Sequence, residues 1–578
     1  SSPQFNNNKV VKAAHHFFIT ICAASGSGGM EVKMKIIVVG GVAAGASASV
    51  KARRVNEDAE IIIFEKGSYV SFANCGLPYY VGGAINKKNN LLLVTPKLFK
   101  DRFNIDVRLN HEVVDIDVKA KTVTVKNNDK VFTEGYDKLI LATGGTPIKP
   151  SIPGMDLIGV YTVFTLDDVE EIKKNLGQTK TAVIVGGGFI GLETAEALLQ
   201  RGIDTTLVEK LPQLIPNFDQ EFSLPVERHL KEKGLNILLE KSVTSIKGSK
   251  IVEGVELSDG SILKTDMVIM AIGVKPQLEL AKKAGLAIGP AGGVIVDASM
   301  QTSIADIYAA GDIVESLHLV SGKKVRIPLA GSANKQGRVA GANAGGGKLF
   351  FKGVLGTAII KVCDLTIART GLNEKEANQL EKNYFVCYSP TLHHAGYYPG
   401  AKWMICKLVV EQFTGKILGA QLVGWEGVDK RIDVLSTAIY GGLSVFDLEQ
   451  LDLAYAPPYS STKDPVIMAG MIASNIIRRE GRVVTPEQLS EMKKKEDIII
   501  VDCRTKEEYE KGHIEGAILL PVDELRKRYT ELDKNKKIVI YCKVGYRANV
   551  AYRFLVQRGF EVYNLTGGYY GYTMNIVE

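Results

Sequence analysis

Twice along this chain a β-branched run breaks onto a cluster of glycines that opens a helix. The first unit is MKIIVVGGVAAGASASVKARR, Met34 to Arg54, and a second apolar run, EIIIFEK, follows it and ends at Glu65. The second unit is TAVIVGGGFIGLETAEALLQRG, Thr181 to Gly202, followed by TTLVEK, which ends at Glu209. Strand, glycine turn, helix and strand, with an acid closing the second strand, is half of a dinucleotide-binding βαβ fold. In the second unit Gly186 makes the tight turn, Gly188 lets backbone approach a pyrophosphate, and Gly191 lets helix and sheet pack closely. The helix N-terminus then offers unpaired N–H groups to a phosphate. In the first unit Gly40 and Gly45 take the outer places, but Val42 stands where the middle glycine would be. Glu209 lies 18 residues after Gly191 and Glu65 lies 20 after Gly45, each placed to accept hydrogen bonds from a ribose. Two such copies argue against a chance glycine-rich turn.

Two more stretches tie the halves together. YDKLILATGGTP, Tyr136 to Pro147, reads as a strand running into a turn at Ala142, Thr143 and Gly144, and TSIADIYAAGDIV reads as a strand ending on Gly311 and Asp312. On these residues the chain resembles the flavoprotein disulfide reductases with two dinucleotide domains. The resemblance implies FAD on Gly40, Gly45, Glu65, Ala142, Thr143, Gly144 and Asp312, and a nicotinamide cofactor on Gly186, Gly188, Gly191 and Glu209. A carboxylate at position 209 accepts from a free 2′-hydroxyl and repels a 2′-phosphate, which favours NADH. Lys210 beside it leaves NADPH use open.

The expected fold class is α/β: two Rossmann-like dinucleotide-binding domains, an α+β dimerisation domain and a C-terminal rhodanese-like α/β domain. Residues 30–150 and 275–350 form the two parts of the FAD domain, 151–274 the NAD(P)H domain, 351–472 the dimerisation domain, and 473–578 a linker and the last module. Residues 1–29 read as an extension or expression scar, because His15 and His16 interrupt their short apolar stretch and SGSGG follows it. A net charge of +7 over 578 residues carries no nucleic-acid footprint. No later stretch reaches the roughly 20 apolar residues that span a bilayer. Seven cysteines without a CxxC or zinc spacing fit a reducing, cytoplasmic compartment, and no metal site is expected.

SFANCGLPYY, Ser71 to Tyr80, has a single cysteine, Cys75, where a redox dithiol would have two. The stretch resembles the single-cysteine branch of the family, the coenzyme A disulfide reductases and their persulfide-reducing relatives. There the second sulfur belongs to coenzyme A, and the cysteine alternates between thiolate and a mixed disulfide. For Cys75 this needs a lowered pKa or a nearby electron acceptor. The rival within that branch is a peroxidase or oxidase, in which a histidine near the start of the protein helps; the first in this domain is His111, well past Cys75, which argues against peroxide chemistry. The resemblance also places Tyr397 and Tyr455, from HHAGYYPGA and LDLAYAPPYSSTKDP, near the sulfur site as proton donors from a partner subunit. Ser47, Lys51 and Arg54 would meet the coenzyme A phosphates, with Ser71 and Asn74 along the pantetheine and Lys463 from the partner chain. Phe103 stands where some relatives have a lysine.

Beyond Ser474 the words VDCRTKEEYEKGHIEGAILLP and IVIYCKVGYRANVAYRFL resemble a rhodanese domain. Cys542 ends the strand KIVIY, and a loop of small and basic residues leads into a helix. Such a loop wraps N–H groups around one sulfur and stabilises a thiolate or persulfide. Arg547 and Lys543 are expected to orient a sulfur donor, Arg504 to pair with Glu508, and Cys503 to be structural. Almost the whole chain resembles fused coenzyme A disulfide reductase–rhodanese proteins. The implied activity is NAD(P)H-dependent reduction of coenzyme A persulfide, polysulfide or coenzyme A disulfide by a homodimer, with sulfane sulfur from polysulfide or thiosulfate arriving through Cys542. A sulfurtransferase whose flavin unit recycles the carrier, or a plain coenzyme A disulfide reductase, are the alternatives.

Overall fold

The computed structural model describes residues 33–574; the expected extension at 1–29 lies outside them. Strand Lys35–Val39 sits at the centre of a five-stranded parallel sheet, between Glu60–Glu65 and Lys138–Leu141, with Asp106–Leu109 and Ile307–Ala309 at the edges. Its run of Ile and Val is fully buried at Ile36, Ile37 and Val38, as a parallel sheet covered on both faces requires. Helices Ala43–Val55 and Ala330–Ala344 pack together against this domain. They approach so closely that a Cβ on Gly341 would lie 2.0 Å from the Ala48 carbonyl oxygen.

A second parallel sheet repeats the plan with Thr181–Val185 at its centre, flanked by Asp204–Val208 and Met267–Met270, then Asn236–Leu238 and Val160–Thr162. The chain passes between the two units through a short antiparallel ribbon, Gly145–Pro147 against Val274–Pro276. A five-stranded antiparallel sheet follows, from Ala358–Val362 to Ile417–Gly424, and its apolar face is covered by helices Val428–Gly441 and Pro465–Ile477. The last sheet is parallel throughout, in the order Val483–Val484, Val562–Leu565, Lys537–Tyr541, Ile498–Asp502, Ala517–Leu519. The expected architecture is therefore the observed one.

The parts are held together by polar clasps. Arg228, on helix Gln220–Glu232 of the second unit, donates to the carbonyls of Thr573 and Met574 at 2.9 and 3.0 Å. The Tyr388 N–H donates to Thr566 Oγ1 at 2.8 Å. Lys407 is fully buried and donates to Asp219, Glu221 and Glu374 at 2.8, 2.6 and 2.7 Å. Burial alone would strip its proton, but Tyr388 and the three carboxylates outweigh it and hold the ammonium charged. The cluster of Asp219, Glu221 and Glu374, whose carboxylate oxygens lie within 4.8 Å of one another, is thus filled by a lysine. Among the described residues no helix is long and apolar enough to cross a membrane.

Candidate active site

The two glycine turns have matching geometry. Gly40 and Gly186 take positive φ, +97° and +112°, and a Cβ on either would strike the carbonyl oxygen of Ala142 or Ala271 at 2.3 or 2.5 Å. Gly45 and Gly191 lie under their turns, where a Cβ would stand 1.8 Å from the Gly40 oxygen and 2.0 Å from the Gly186 oxygen. Gly188 is different: a Cβ there would meet nothing within 4 Å, so its protein neighbours do not demand a glycine. The space above it is free for a ligand's close approach. Each closing acid is buried and holds its own turn. Glu65 accepts from the N–H groups of Gly41 and Gly67, both at 2.7 Å. Glu209 accepts from those of Gly187 and Leu211, at 2.6 and 2.8 Å.

One cavity of about 1980 Å³ runs from the first turn past Cys75. Gly40, Glu65, Ala142, Thr143, Gly144 and Asp312 line it, and so do Ser47, Lys51, Arg54, Ser71 and Asn74. Ser47, Lys51 and Arg54 are spaced by four and three on helix Ala43–Val55, so they share one face. Among the described residues neither cation has a carboxylate partner; Arg54 lies over the Phe103 ring at 6.0 Å. Asp312 accepts no hydrogen bond from the described residues. Desolvation pushes its carboxyl above the usual range, with the Arg326 charge opposing. No helix starts at Asp312, so it is not a capping residue.

Cys75 lies in the 3₁₀ turn Asn74–Gly76 that leads into helix Leu77–Gly82, exposed to the cavity. Among the described residues no other cysteine lines the cavity. Desolvation by the cavity walls, then the charges of Glu193 and Asp312, push its thiol above the ordinary value. Of the two conditions set for Cys75 by the sequence, a lowered pKa is absent from the protein's own environment. That leaves the electron acceptor. Glu193 lines the same cavity, accepts from the Tyr79 hydroxyl at 3.1 Å, and is itself raised by desolvation. Sequence reasoning missed it, although it sits in the second glycine motif's own helix. His111 also lines the cavity, but its N–H donates to Glu65 O and its Nδ1 lies 2.7 Å from Leu109 O, at the Glu65 end.

Tyr397 and Tyr455 come together with their hydroxyls 3.0 Å apart, both exposed. The Tyr455 hydroxyl is raised, first by the Tyr397 hydrogen bond and then by desolvation. Neither they nor the exposed Lys463 lines the Cys75 cavity of their own chain.

Cys542 follows strand Lys537–Tyr541 and is 1% exposed. Gly545, with φ +100°, turns its N–H onto Cys542 Sγ at 3.1 Å just before helix Tyr546–Val556. The thiol is pulled down to about 6. The neighbouring Cys503 thiol is the largest cause; burial opposes it, and the N–H groups of Ala548, Val544 and Gly545 add to it. One expectation, the pairing of Arg504 with Glu508, is corrected here. Arg504 pairs with Asp502, two positions before it and fully buried, its Nη2 at 2.6 Å from Oδ2. Glu508 instead receives both amino groups of Arg547, at 2.6 and 2.7 Å. Lys543 stands over the rings of Trp403 and Tyr570, at 5.1 and 4.9 Å from their centroids.

Residues 34–337 match the family model for pyridine nucleotide-disulphide oxidoreductases. The chain belongs to this family. Residues 357–465 match the dimerisation domain of the same family, and residues 485–575 a rhodanese-like domain. The NAD(P)H coenzyme A polysulfide/persulfide reductase of Pyrococcus horikoshii is 37% identical over 452 residues, 77% of this chain and 99% of the relative. The solved structure of reduced Bacillus anthracis CoADR-RHD superposes with a TM-score of 0.91 at 43% identity, over 94% of this chain and 99% of that one. A NAD-dependent persulfide reductase from A. fulgidus superposes with a TM-score of 0.87 at 40% identity, over 93% and 100%.

Membership of the pyridine nucleotide-disulphide oxidoreductases implies FAD and NAD(P)H. The residues fit both groups. The first turn opens onto a long cavity with a half-buried carboxylate, Asp312, in its wall that accepts no hydrogen bond from the described residues, as polyol hydroxyls require. The second turn leaves open space over Gly188, as a pyrophosphate requires.

Proposed function

We propose that this chain is an FAD-dependent NAD(P)H reductase of coenzyme A persulfide, polysulfide or coenzyme A disulfide. It works through a Cys75–coenzyme A mixed disulfide, and its rhodanese domain delivers sulfane sulfur through Cys542. One observation carries the reading: a cavity with, among the described residues, a single cysteine and no carboxylate partner for Lys51 or Arg54 continues from the dinucleotide turn to those two cations. The names of the full-length and catalytic-region relatives support the same substrate class.

Gly40, Gly45, Glu65, Ala142, Thr143, Gly144 and Asp312 would hold FAD, and Gly186, Gly188, Gly191 and Glu209 the nicotinamide nucleotide. Held there, FAD would supply the two-electron relay from nicotinamide to sulfur that resets Cys75. The chain's own residues do the rest. Lys51 and Arg54 attract the coenzyme A phosphates, Ser47 adds a hydroxyl beside them, and Ser71 and Asn74 line the path of the arm. Cys75 attacks the sulfur of the bound disulfide or persulfide, and the displaced thiolate or hydrosulfide leaves. Tyr397 and Tyr455 of a second copy, in a homodimer, present the phenol pair that protonates the leaving sulfur, and Lys463 of that copy adds charge at the arm. In the rhodanese domain Cys542 takes sulfane sulfur from polysulfide or thiosulfate, and Arg547 sets the edge of its loop. Glu209 favours NADH, with NADPH as a second donor. Six free cysteines among the described residues fit a reducing, cytoplasmic setting.

Denaturing mass spectrometry of the untreated protein tests this. A coenzyme A adduct on the Cys75 peptide, removed by NADH, is expected, and Cys75→Ser abolishes NADH turnover on coenzyme A persulfide. Full NADH-dependent turnover by Cys75→Ser would overturn the reading. Thiosulfate:cyanide sulfur transfer with no NADH turnover on any of these substrates would favour the sulfurtransferase.

A further inference from the structure

The two cysteines of the C-terminal sheet lie side by side. Strands Ile498–Asp502 and Lys537–Tyr541 are parallel neighbours, in register up to Asp502 opposite Tyr541. The ladder continues one step, because the Cys503 N–H donates to the Tyr541 carbonyl at 2.9 Å. Cys503 and Cys542 are therefore the next pair across. Paired residues on adjacent strands lie about 4.8 Å apart, inside the roughly 4.4–6.8 Å Cα separation that a disulfide spans. Their side chains point the same way: both belong to one apolar cluster with Ala548, Ala551 and Tyr552, whereas Tyr541 belongs to the cluster on the other face. Both are 1% exposed. Cys503 Sγ lies 3.1 Å from the Tyr541 carbonyl oxygen, at the root of the Cys542 loop. A merely structural position would be filled as well by valine or alanine, and neither would set a second thiol against the loop's nucleophile.

We propose that Cys503 is the resolving thiol of Cys542: when Cys542 carries sulfane sulfur and no acceptor thiol takes it, Cys503 displaces that sulfur and closes a Cys503–Cys542 disulfide. This rests on the sulfur-carrying role proposed above. The Cys503 sulfur, as thiolate, attacks Cys542 Sγ. The Sγ–Sγ bond forms, the bond from Cys542 Sγ to the outer sulfur breaks, and the outer sulfur leaves as hydrosulfide, which takes up the proton Cys503 gave. The two cysteine sulfurs together lose two electrons and the outer sulfur gains them, so no other oxidant is needed. Two equivalents of a small thiol such as coenzyme A reopen the pair by successive exchange and leave as their own disulfide, which the Cys75 site is proposed to reduce. In the unloaded state the proton stays on Cys503. Its thiol is pushed well above the ordinary value, chiefly by the Cys542 sulfur beside it and then by burial. Loading Cys542 moves that negative charge outward onto the terminal sulfur and weakens the hold on the proton. The device would discharge a loaded loop that finds no acceptor.

The experiment uses the reduced, desalted full-length holoenzyme, as wild type and as Cys503→Ser, with Cys503→Ala as the second variant. Each is exposed to limiting inorganic polysulfide, or separately to diamide, which takes up two hydrogens from a dithiol. Samples are quenched with iodoacetamide and read by peptide mass spectrometry, with released sulfide measured. Wild type is expected to yield a cross-linked peptide joining Cys503 and Cys542 with about one equivalent of sulfide, and diamide to close the same link. Both variants are expected to keep the persulfide on Cys542 at least tenfold longer. A persulfide that lasts equally long in all three proteins, or no link with diamide, overturns the resolving role. Failure of any protein to acquire sulfur on Cys542 overturns the sulfur-carrying reading and the displacement step with it, whereas equal retention overturns the resolving role alone.

Discussion

At neutral pH the loop around Cys542 is expected to hold a thiolate, and Cys503 is expected to be the largest single reason. The thiol falls from an ordinary value of 9.0 to about 6. Three units correspond to about 4 kcal/mol of preference for the charged form. Burial works against it, so the donors together supply more than this net figure. A hydrogen bond to a charged group contributes about 1.5–3 kcal/mol. Replacing Cys503 with Ala removes one such donor and leaves the three backbone N–H groups in place. The Cys542 midpoint should then rise by about one to two pH units. The assay is the rate of iodoacetamide alkylation of the Cys542 peptide between pH 4.5 and 9.5, in a Cys75→Ser background. Wild type should reach half its plateau near pH 6, since the reactive thiolate is present above the lowered value and lost as pH falls through it. The plateau itself should be modest, because a less basic thiolate is a weaker nucleophile. A wild-type midpoint near the ordinary value, or no movement in Cys503→Ala, would refute the account of how this loop holds its charge.

Other consequences follow from single contacts. Gly191→Ala puts a methyl group 2.0 Å from the Gly186 oxygen and must lift the helix from its turn; flavin content should persist while the KM for NADH rises on the order of a hundredfold, read by stopped-flow flavin reduction. Lys51→Ala and Arg54→Ala should each raise the KM for coenzyme A disulfide roughly tenfold with kcat little changed, since each removes a charge that binds substrate and transition state alike. Lys407→Met leaves Asp219, Glu221 and Glu374 together without a cation. Stranding buried charge costs about 3–5 kcal/mol, but protonating one carboxyl relieves it, at a cost that falls by about 1.4 kcal/mol for each pH unit downward. A carboxyl raised in the folded variant stabilises it below the unfolded value and loses that contribution as pH rises. The gap in melting temperature from wild type should therefore widen from pH 5.5 to 8, and a constant gap would count against the clasp.

How legible the chain was depended on how far apart the deciding residues lie. The duplicated turns were readable because a turn, a helix start and an acid about twenty positions on are a local pattern, and steric need shows directly as glycine. The turns of Gly40 and Gly186, and Cys75 as an isolated thiol, follow from spacing alone, as does Cys542 at a strand end before small residues and a helix. Glu193 was hidden because nothing local marks a glutamate whose helix happens to face another domain's cysteine. The partner of Arg504 was misjudged because two arginines and two acids allow either pairing, and only the placement of Asp502 and Glu508 chooses. Nothing local marks Lys407, which gains its three acids only where the NAD(P)H unit and the antiparallel sheet meet.

By itself, then, the order of residues determines the class of sheet, the doubling of the nucleotide turns and the place of Cys75 and Cys542 in their loops. Each of these depends on neighbours within one βαβ unit or one loop. Tertiary structure alone decides which charges stand free. It leaves Lys51 and Arg54 without carboxylate partners among the described residues along a cavity and encloses Lys407 among three acids. It also sets Cys503, 39 positions away in the chain, against Cys542 across a pair of parallel strands. The reason is that pairing between parallel strands joins residues separated by a whole crossover, and no pattern short enough to read along the chain records it.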